Sequence, residues 1–288
     1  MRIWEDIIVW ENVYFPDNLH KESVRDYIYK GISVQRANWN GDQIMETLEL
    51  IEVVKNYSKK HAVKGISFKI NKGDVLGLLG ENGAGKSTTM SMISTLAKPD
   101  GGDILLDGKS IVKDPGIIRK CLGYVPQDIA LYPMLTGYEN LKFFGKMYHM
   151  SGKEIEEAIV RVRDIIGLSD EVLKTKVGAY SGGMKRRVNI GAALMHDPEL
   201  VVMDEPTVGI DVNSRNQIID TIIGLNKMGK TIIYTGHYME EVERLCNKIC
   251  FLEEGVITDF GEIDKFLETD KGRITLEQYY INKVNDKK

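Results

Sequence analysis

Val75-Leu76-Gly77-Leu78-Leu79 runs directly into Gly80-Glu81-Asn82-Gly83-Ala84-Gly85-Lys86-Ser87. The first five residues are apolar and uncharged and read as a buried strand. The next eight fit G-x-x-x-x-G-K-S, and a helix is expected from Ser87 and Thr88 to about Leu96. Strand, glycine loop and helix in this order form the setting in which the pattern cradles phosphate. Its glycines let successive backbone N–H groups turn inward around phosphate oxygens, and the helix adds its positive N-terminal end. Lys86 would reach the β- and γ-phosphates, and the Ser87 hydroxyl would ligate Mg²⁺. The plainer reading, a glycine-rich turn without a ligand, does not account for the strand in front of it.

Two further stretches carry chemistry. Leu200-Val201-Val202-Met203 is an apolar strand that ends in Asp204-Glu205. Beside a bound nucleotide the first carboxylate holds the metal and the second polarises the attacking water. Adjacent acids after a strand also serve as a helix cap or solvated turn, and Pro206 allows an immediate helix start, but the phosphate loop favours the catalytic reading. Between loop and acids lies Tyr180-Ser181-Gly182-Gly183-Met184-Lys185-Arg186-Arg187. Ser181, Gly182 and Gly183 open a helix running through Val188, Ile190 and Leu194, and such a terminus attracts anions. The three basic residues that follow are expected on a solvated face.

Composition narrows the class. The chain has 288 residues, enough for one α/β domain with appendages, and its net charge of −4 leaves no global basic footprint for nucleic acid. Its three cysteines, Cys121, Cys246 and Cys250, are too few for a disulfide framework and point to a reducing compartment. Cys246 and Cys250, four apart, are expected in the core rather than on a metal. No apolar run approaches the roughly 20 residues that span a bilayer, and the first residues lack the order of a signal peptide.

From Leu48 onward short apolar runs alternate with turns and helical periods, as in doubly wound α/β domains. Core strands are expected at 200–204, 231–235 and about 249–252, and a mostly helical insertion over about 128–195. Within the insertion, Ser151-Gly152-Lys153-Glu154 matches a capping box. It opens a helix with Ile155, Ile159, Val162, Ile165 and Ile166 near one face, closed by Gly167. All three tryptophans, Trp4, Trp10 and Trp39, fall in residues 1–44, which read either as an extension upstream of the domain or as a docking arm. A chain starting at Met45 is expected to fold without them.

Taken together these motifs resemble the ATP-binding cassette (ABC) ATPases over about residues 46–262. The resemblance implies an α/β P-loop NTPase core, a parallel sheet flanked by helices, with an antiparallel β subdomain and a helical signature subdomain. Its domain limits would be 45–262, after the 1–44 extension and before a 263–288 tail. ATP and Mg²⁺ are the implied cofactors. Gly80, Glu81, Asn82, Gly83, Ala84, Gly85, Lys86, Ser87 and Thr88 would hold the phosphates, and Tyr57 resembles the aromatic that stacks on adenine. Ser87, Asp204 and Gln127 resemble the metal ligands. Glu205, Gln127, His237 and Lys86 resemble the catalytic set, with His237 as the switch histidine of Tyr234-Thr235-Gly236-His237.

Ser181, Gly182, Gly183 and Asp211 would act across a head-to-tail dimer with a second ATPase subunit, identical or closely related. Two positions depart from the family signature, Tyr180 for leucine and Met184 for glutamine. That variant, Leu131-Tyr132-Pro133-Met134-Leu135-Thr136 before Glu139-Asn140-Leu141, and Thr275–Tyr280 are similar to the exporter branch that pairs with ABC-2 type membrane permeases. The resemblance therefore implies a subunit peripheral on the cytoplasmic face of the cell membrane, docking through 128–146 and without a nucleic-acid partner. A soluble ABC ATPase outside transport, as in iron–sulfur assembly, is the alternative reading.

Overall fold

The computed structural model describes residues 45–58, 60–270 and 272–285; the expectations for residues 1–44 lie outside the described residues. The chain opens with a long hairpin, β1 (Thr47–Tyr57) and β2 (Lys60–Asn71), whose register is broken by a bulge between Leu50 and Val53. Leu48 and Leu50 alternate inward with the period of a half-buried antiparallel strand, and after the bulge Val53 is buried again. After β3 (Val75–Leu79) and helix α1 (Lys86–Ile93) come β4 (Gly101–Leu106) and β5 (Lys109–Ser110). They complete a four-stranded antiparallel sheet in the order β2-β1-β4-β5.

β6 (Leu122–Val125) leads to the helical insertion, α2 (Gly137–Met147), α3 (Gly152–Ile166) and α4 (Gly182–Leu194). The chain then alternates β7 (Leu200–Met203), α5 (Val212–Lys227), β8 (Thr231–Thr235), α6 (Met239–Leu245), β9 (Lys248–Glu253), β10 (Val256–Glu262) and, last, α7 (Leu276–Asn285). The second sheet has the order β10-β9-β3-β8-β7-β6, parallel except for its β10 edge. This is the α/β core, antiparallel β subdomain and helical subdomain expected.

The parallel strands are buried on both faces, which is why they read as continuous apolar runs. Successive residues feed different cores. Leu76, Leu78, Leu200 and Val202 belong to a cluster shared with α1 and the antiparallel sheet. Val75, Leu79, Val201 and Met203 belong to a larger one shared with the helices. Cys246 lies in the helical cluster and Cys250 in the other. Ile263, Leu267 and Leu276 are buried in the helical cluster too, so residues beyond 262 are packed into the domain.

The insertion is bounded by its own chemistry. Ser151 Oγ accepts from the Glu154 N–H and the Glu154 carboxylate accepts from the Ser151 N–H, while Gly167 ends α3 at φ 61°. Thr136 and Glu139 form a second capping box at the start of α2, the same S-or-T-x-x-E signal. The insertion meets the sheet where α4 crosses β6: a Cβ on Gly123 would lie 2.5 Å from the Ala193 carbonyl oxygen and 2.8 Å from Pro198 Cγ. Backbone cannot yield as a side-chain end does. Gly123→Ala is therefore expected to cost about 1–3 kcal/mol, read as a lower urea midpoint with an unchanged slope; an unchanged midpoint would show that α4 is free to move off β6.

Candidate nucleotide site

The carboxyl ends of β3, β8, β7 and β6, neighbours in the sheet, deliver the loop after Leu79, then Thr235 and His237, then Asp204 and Glu205, then Gln127. Sheet order alone thus gathers residues up to 157 positions apart, Gly80 to His237, at one crevice, where open α/β sheets bind ligands.

The glycine loop has the backbone that its sequence requires. Gly80, Gly83 and Gly85 lie at φ 142°, 83° and 110°. A Cβ on Gly80 would stand 2.1 Å from the Leu252 carbonyl oxygen, and one on Gly85 2.6 Å from that of Ala62, so no other residue fits either place. Lys86 opens α1 and lies back along the loop, its Nζ donating to the carbonyls of Gly80 at 2.6 Å and Glu81 at 3.1 Å. Burial pulls its ammonium below the usual lysine range, while Glu205 and Asp204 hold it up.

Asp204 and Glu205 are both buried. Thr235 joins them: its hydroxyl donates to Asp204 Oδ1 at 2.7 Å and accepts from the Glu205 N–H at 2.9 Å. Glu205 takes φ 47°, a left-handed conformation unusual for a side chain of this size. Gln127 Nε2 donates to Glu205 Oε2 at 2.8 Å, and His237 Nε2 stands 2.9 Å from Glu205 Oε1. Burial raises the pKa of Asp204, with the Glu205 charge adding, against the opposing hydrogen bonds from Thr235 and Ser87 and the Lys86 charge. The Ser87 and Asp204 oxygens, side by side, are the hard donor pair a divalent cation such as Mg²⁺ takes.

The structure therefore brings together Lys86, Ser87, Gln127, Asp204, Glu205 and His237. A second group forms elsewhere. Ser181 caps α4 by accepting from the Met184 N–H at 3.2 Å, Asp211 caps α5 by accepting from the Ser214 N–H at 3.0 Å, and Gly183 backs onto Ser214, whose Oγ would lie 2.2 Å from a Cβ placed there. Tyr57 belongs to neither group; it ends β1, 47% exposed, beside the Lys55 ammonium.

The solvated basic face expected at 185–187 is not what forms. Arg186 is buried, donating to the carbonyls of Pro126 and Gln127, and Arg187 reaches those of Ile166 and Gly167. Thr235 and Glu241, a buried carboxylate that accepts from Tyr234 and Thr207, carry no local pattern that marks their roles. A hydroxyl at a strand's end matters only once β8 is known to lie beside β7.

Comparison with known proteins places the chain among relatives of known family. The family model described as ABC transporter matches residues 63–208. The chain is 52% identical to the linearmycin resistance ATP-binding protein of Bacillus subtilis (strain 168), over 74% of this chain and 68% of that one. It is 42% identical to the Nod factor export ATP-binding protein I of Rhizobium sp. (strain N33), over 72% and 68%. Among solved structures, an ATP-binding subunit of an ABC transporter superposes with a TM-score of 0.72 at 27% identity, covering 82% of this chain and 98% of that one. A dimeric ATP-binding cassette in a post-hydrolysis state with ADP and Pi superposes at 0.68, also at 27% identity, over 75% and 98%.

The raised pKa of Asp204 has a consequence for stability. Below its ordinary value of 3.8 the carboxyl is protonated folded or unfolded. Above it the unfolded chain ionises first, so folding loses stability as pH rises through the folded pKa. Asp204→Asn, which keeps the Thr235 hydrogen bond, is expected to raise the melting temperature of the nucleotide-free protein at pH 7. The gain should shrink as pH falls toward 4, and a gain independent of pH would overturn the assignment.

Proposed function

The chain belongs to the ABC transporter family of ATP-binding, ATP-hydrolysing subunits, and from that premise we propose that Glu205 is the base of its reaction and that the reaction drives export through a separate membrane permease. The observation that carries the first part is the Glu205 carboxylate held at both oxygens, by Gln127 and by His237. A carboxylate so fixed accepts a proton from a water placed between it and the γ-phosphate. The water oxygen attacks phosphorus, the bond to the β-phosphate oxygen breaks, and ADP and inorganic phosphate leave. Mg²⁺, when bound, offsets charge on the phosphate oxygens, with Ser87, Asp204 and Gln127 as its proposed holders. Lys86 exchanges its loop carbonyls for the β- and γ-phosphates, within the loop of Gly80–Ser87 and Thr88, and Tyr57 supplies a face for adenine.

Two copies complete the site. Ser181 and Gly182 are exposed at the N-terminal end of α4, beside the loop of Asp211, where the amides and dipole of a helix attract phosphate. We assign them, with Gly183 and Asp211, to the nucleotide held by the partner copy, a reading supported by the dimeric cassette above. Export is supported by the relatives named for Nod factor export and linearmycin resistance. The permease is proposed to be of the ABC-2 type, placing this subunit on the cytoplasmic face of the membrane. Among the described residues no helix is long and apolar enough to cross a bilayer.

The docking surface is proposed in 128–146, at the turn where Pro133 and Met134 are exposed, Met134 to 74%. Phe143 meets both Phe144 and Tyr132 edge to face, so these rings support the segment that carries that turn. The domain limits 45–262 stay a proposal for the catalytic unit.

Glu205→Gln is expected to bind ATP normally and lose turnover by about 10²–10⁴-fold, whereas Lys86→Ala should weaken binding itself. Nucleotide titration and ATPase rates of the assembled transporter distinguish them, and a near-normal rate for Glu205→Gln would remove it as the base. Met134→Asp is expected to leave the isolated subunit folded and hydrolysing, but to lower export by the reconstituted transporter severalfold; unchanged export would place docking elsewhere.

A further inference from the structure

Arg186 sits on the second turn of α4, five residues after Ser181, and only 5% of it is exposed. Its Nη1 donates to the Pro126 carbonyl at 2.8 Å and its Nη2 to the Gln127 carbonyl at 2.5 Å. One turn further along the same helix the buried Asn189 accepts from the Ala130 N–H at 3.1 Å. Two side chains of α4 therefore grip both ends of the segment 126–130. The side chain of Gln127, within that segment, donates to Glu205. Burial opposes the guanidinium charge, and Asp128 and Asp204 support it. The contact is thus a charged, largely buried link rather than a surface pair, and links of that kind are costly to break.

We propose that Arg186 is a positioning residue that makes α4 and the Gln127 segment one rigid unit, so that the state of a chain's own site sets where its Ser181-Gly182-Gly183 stands. An α-helix rises about 1.5 Å per residue, so Ser181 lies only about 8 Å along the axis from the point of attachment. A displacement of the Gln127 backbone therefore reaches the helix end undamped. Because Ser181–Gly183 serve the partner's nucleotide, Arg186 communicates between the two sites of the dimer. The inference rests on the two-copy reading above. It gives Arg186 no contact with nucleotide and no part in the chemical step.

The test uses the full chain carrying Glu205→Gln, with ATP affinity measured by calorimetry and ATP-driven dimerisation by analytical ultracentrifugation. Adding Arg186→Met, which keeps most of the volume, should leave ATP affinity of the monomer within about twofold while weakening the ATP-driven dimer at least about tenfold, the size of losing a charged hydrogen bond used in one state. Arg187→Met, which gives up only the Ile166 and Gly167 carbonyls, should dimerise like the parent. Should Arg186→Met melt far below the parent, Arg186→Lys decides instead: it keeps the charge but not the paired donors, and an intermediate dimer affinity is expected. Parental dimerisation by the Arg186 variants, or ATP affinity falling in step with dimerisation, would overturn the proposal while leaving the two-copy reading intact. A parent that forms no ATP-driven dimer would overturn both.

Discussion

Two neighbouring carboxylates, Asp204 and Glu205, are buried together at the end of β7, and the site is built around keeping both there. In an extended strand their side chains would point to opposite faces. The left-handed turn at Glu205 brings both into one crevice, at a strain on the order of 1 kcal/mol, which the surrounding structure must sustain. Thr235 fixes the turn by receiving the Glu205 N–H while donating to Asp204. Lys86 supplies a positive charge that both acids feel, and Gln127 and His237 take the two oxygens of Glu205. These partners arrive from β3, β8 and β6, so the strand order is a condition for the two acids to be held together there.

Behind the two acids lies a second polar knot. Glu241 Oε2 accepts from Tyr234 at 2.5 Å and from Thr207 at 2.7 Å, and Arg215 Nε stands 3.4 Å from Oε1 with its guanidinium over the Tyr238 ring. This ties the turn after Glu205, the strand before His237, the helix after it, and the helix that Asp211 caps. A buried carboxylate with several donors is costly to leave unpaired. The segments that follow β7 and β8 are therefore not independent of each other.

Local chemistry was legible in the sequence; pairings across it were not. The strand Val75–Leu79, the glycine loop and the acids after Met203 follow from short-range rules: glycine where φ is positive, apolar runs where strands are buried on both sides. The α3 capping box and its Gly167 terminus belong to the same class. Arg186 shows where such rules stop. Three basic residues in a row look like a solvated face, and only the approach of Pro126 and Gln127, 60 and 59 positions away, turns the middle one inward. Thr235 and Glu241 are likewise ordinary until the sheet order makes them neighbours of residues about 30 positions off.

Tyr180, which departs from the family's leucine, shows how the signature is attached to the rest. Its hydroxyl donates to the Val172 carbonyl at 2.6 Å, and the space it occupies exists because residue 137 is glycine: a Cβ there would stand 2.5 Å from the phenol oxygen. The same small region is laced by backbone. Gly178 donates to Pro133, Val177 to Leu135, and Gly137 to Thr175. The exposed Pro133–Met134 turn is thus bonded directly to the segment that runs into Tyr180 and Ser181. If a membrane subunit docks on that turn, its displacement enters the signature through hydrogen-bonded backbone on one side, while Arg186 brings the state of Gln127 to the same helix on the other. The end of α4 is then the place where the two influences meet, and its serine is positioned by both.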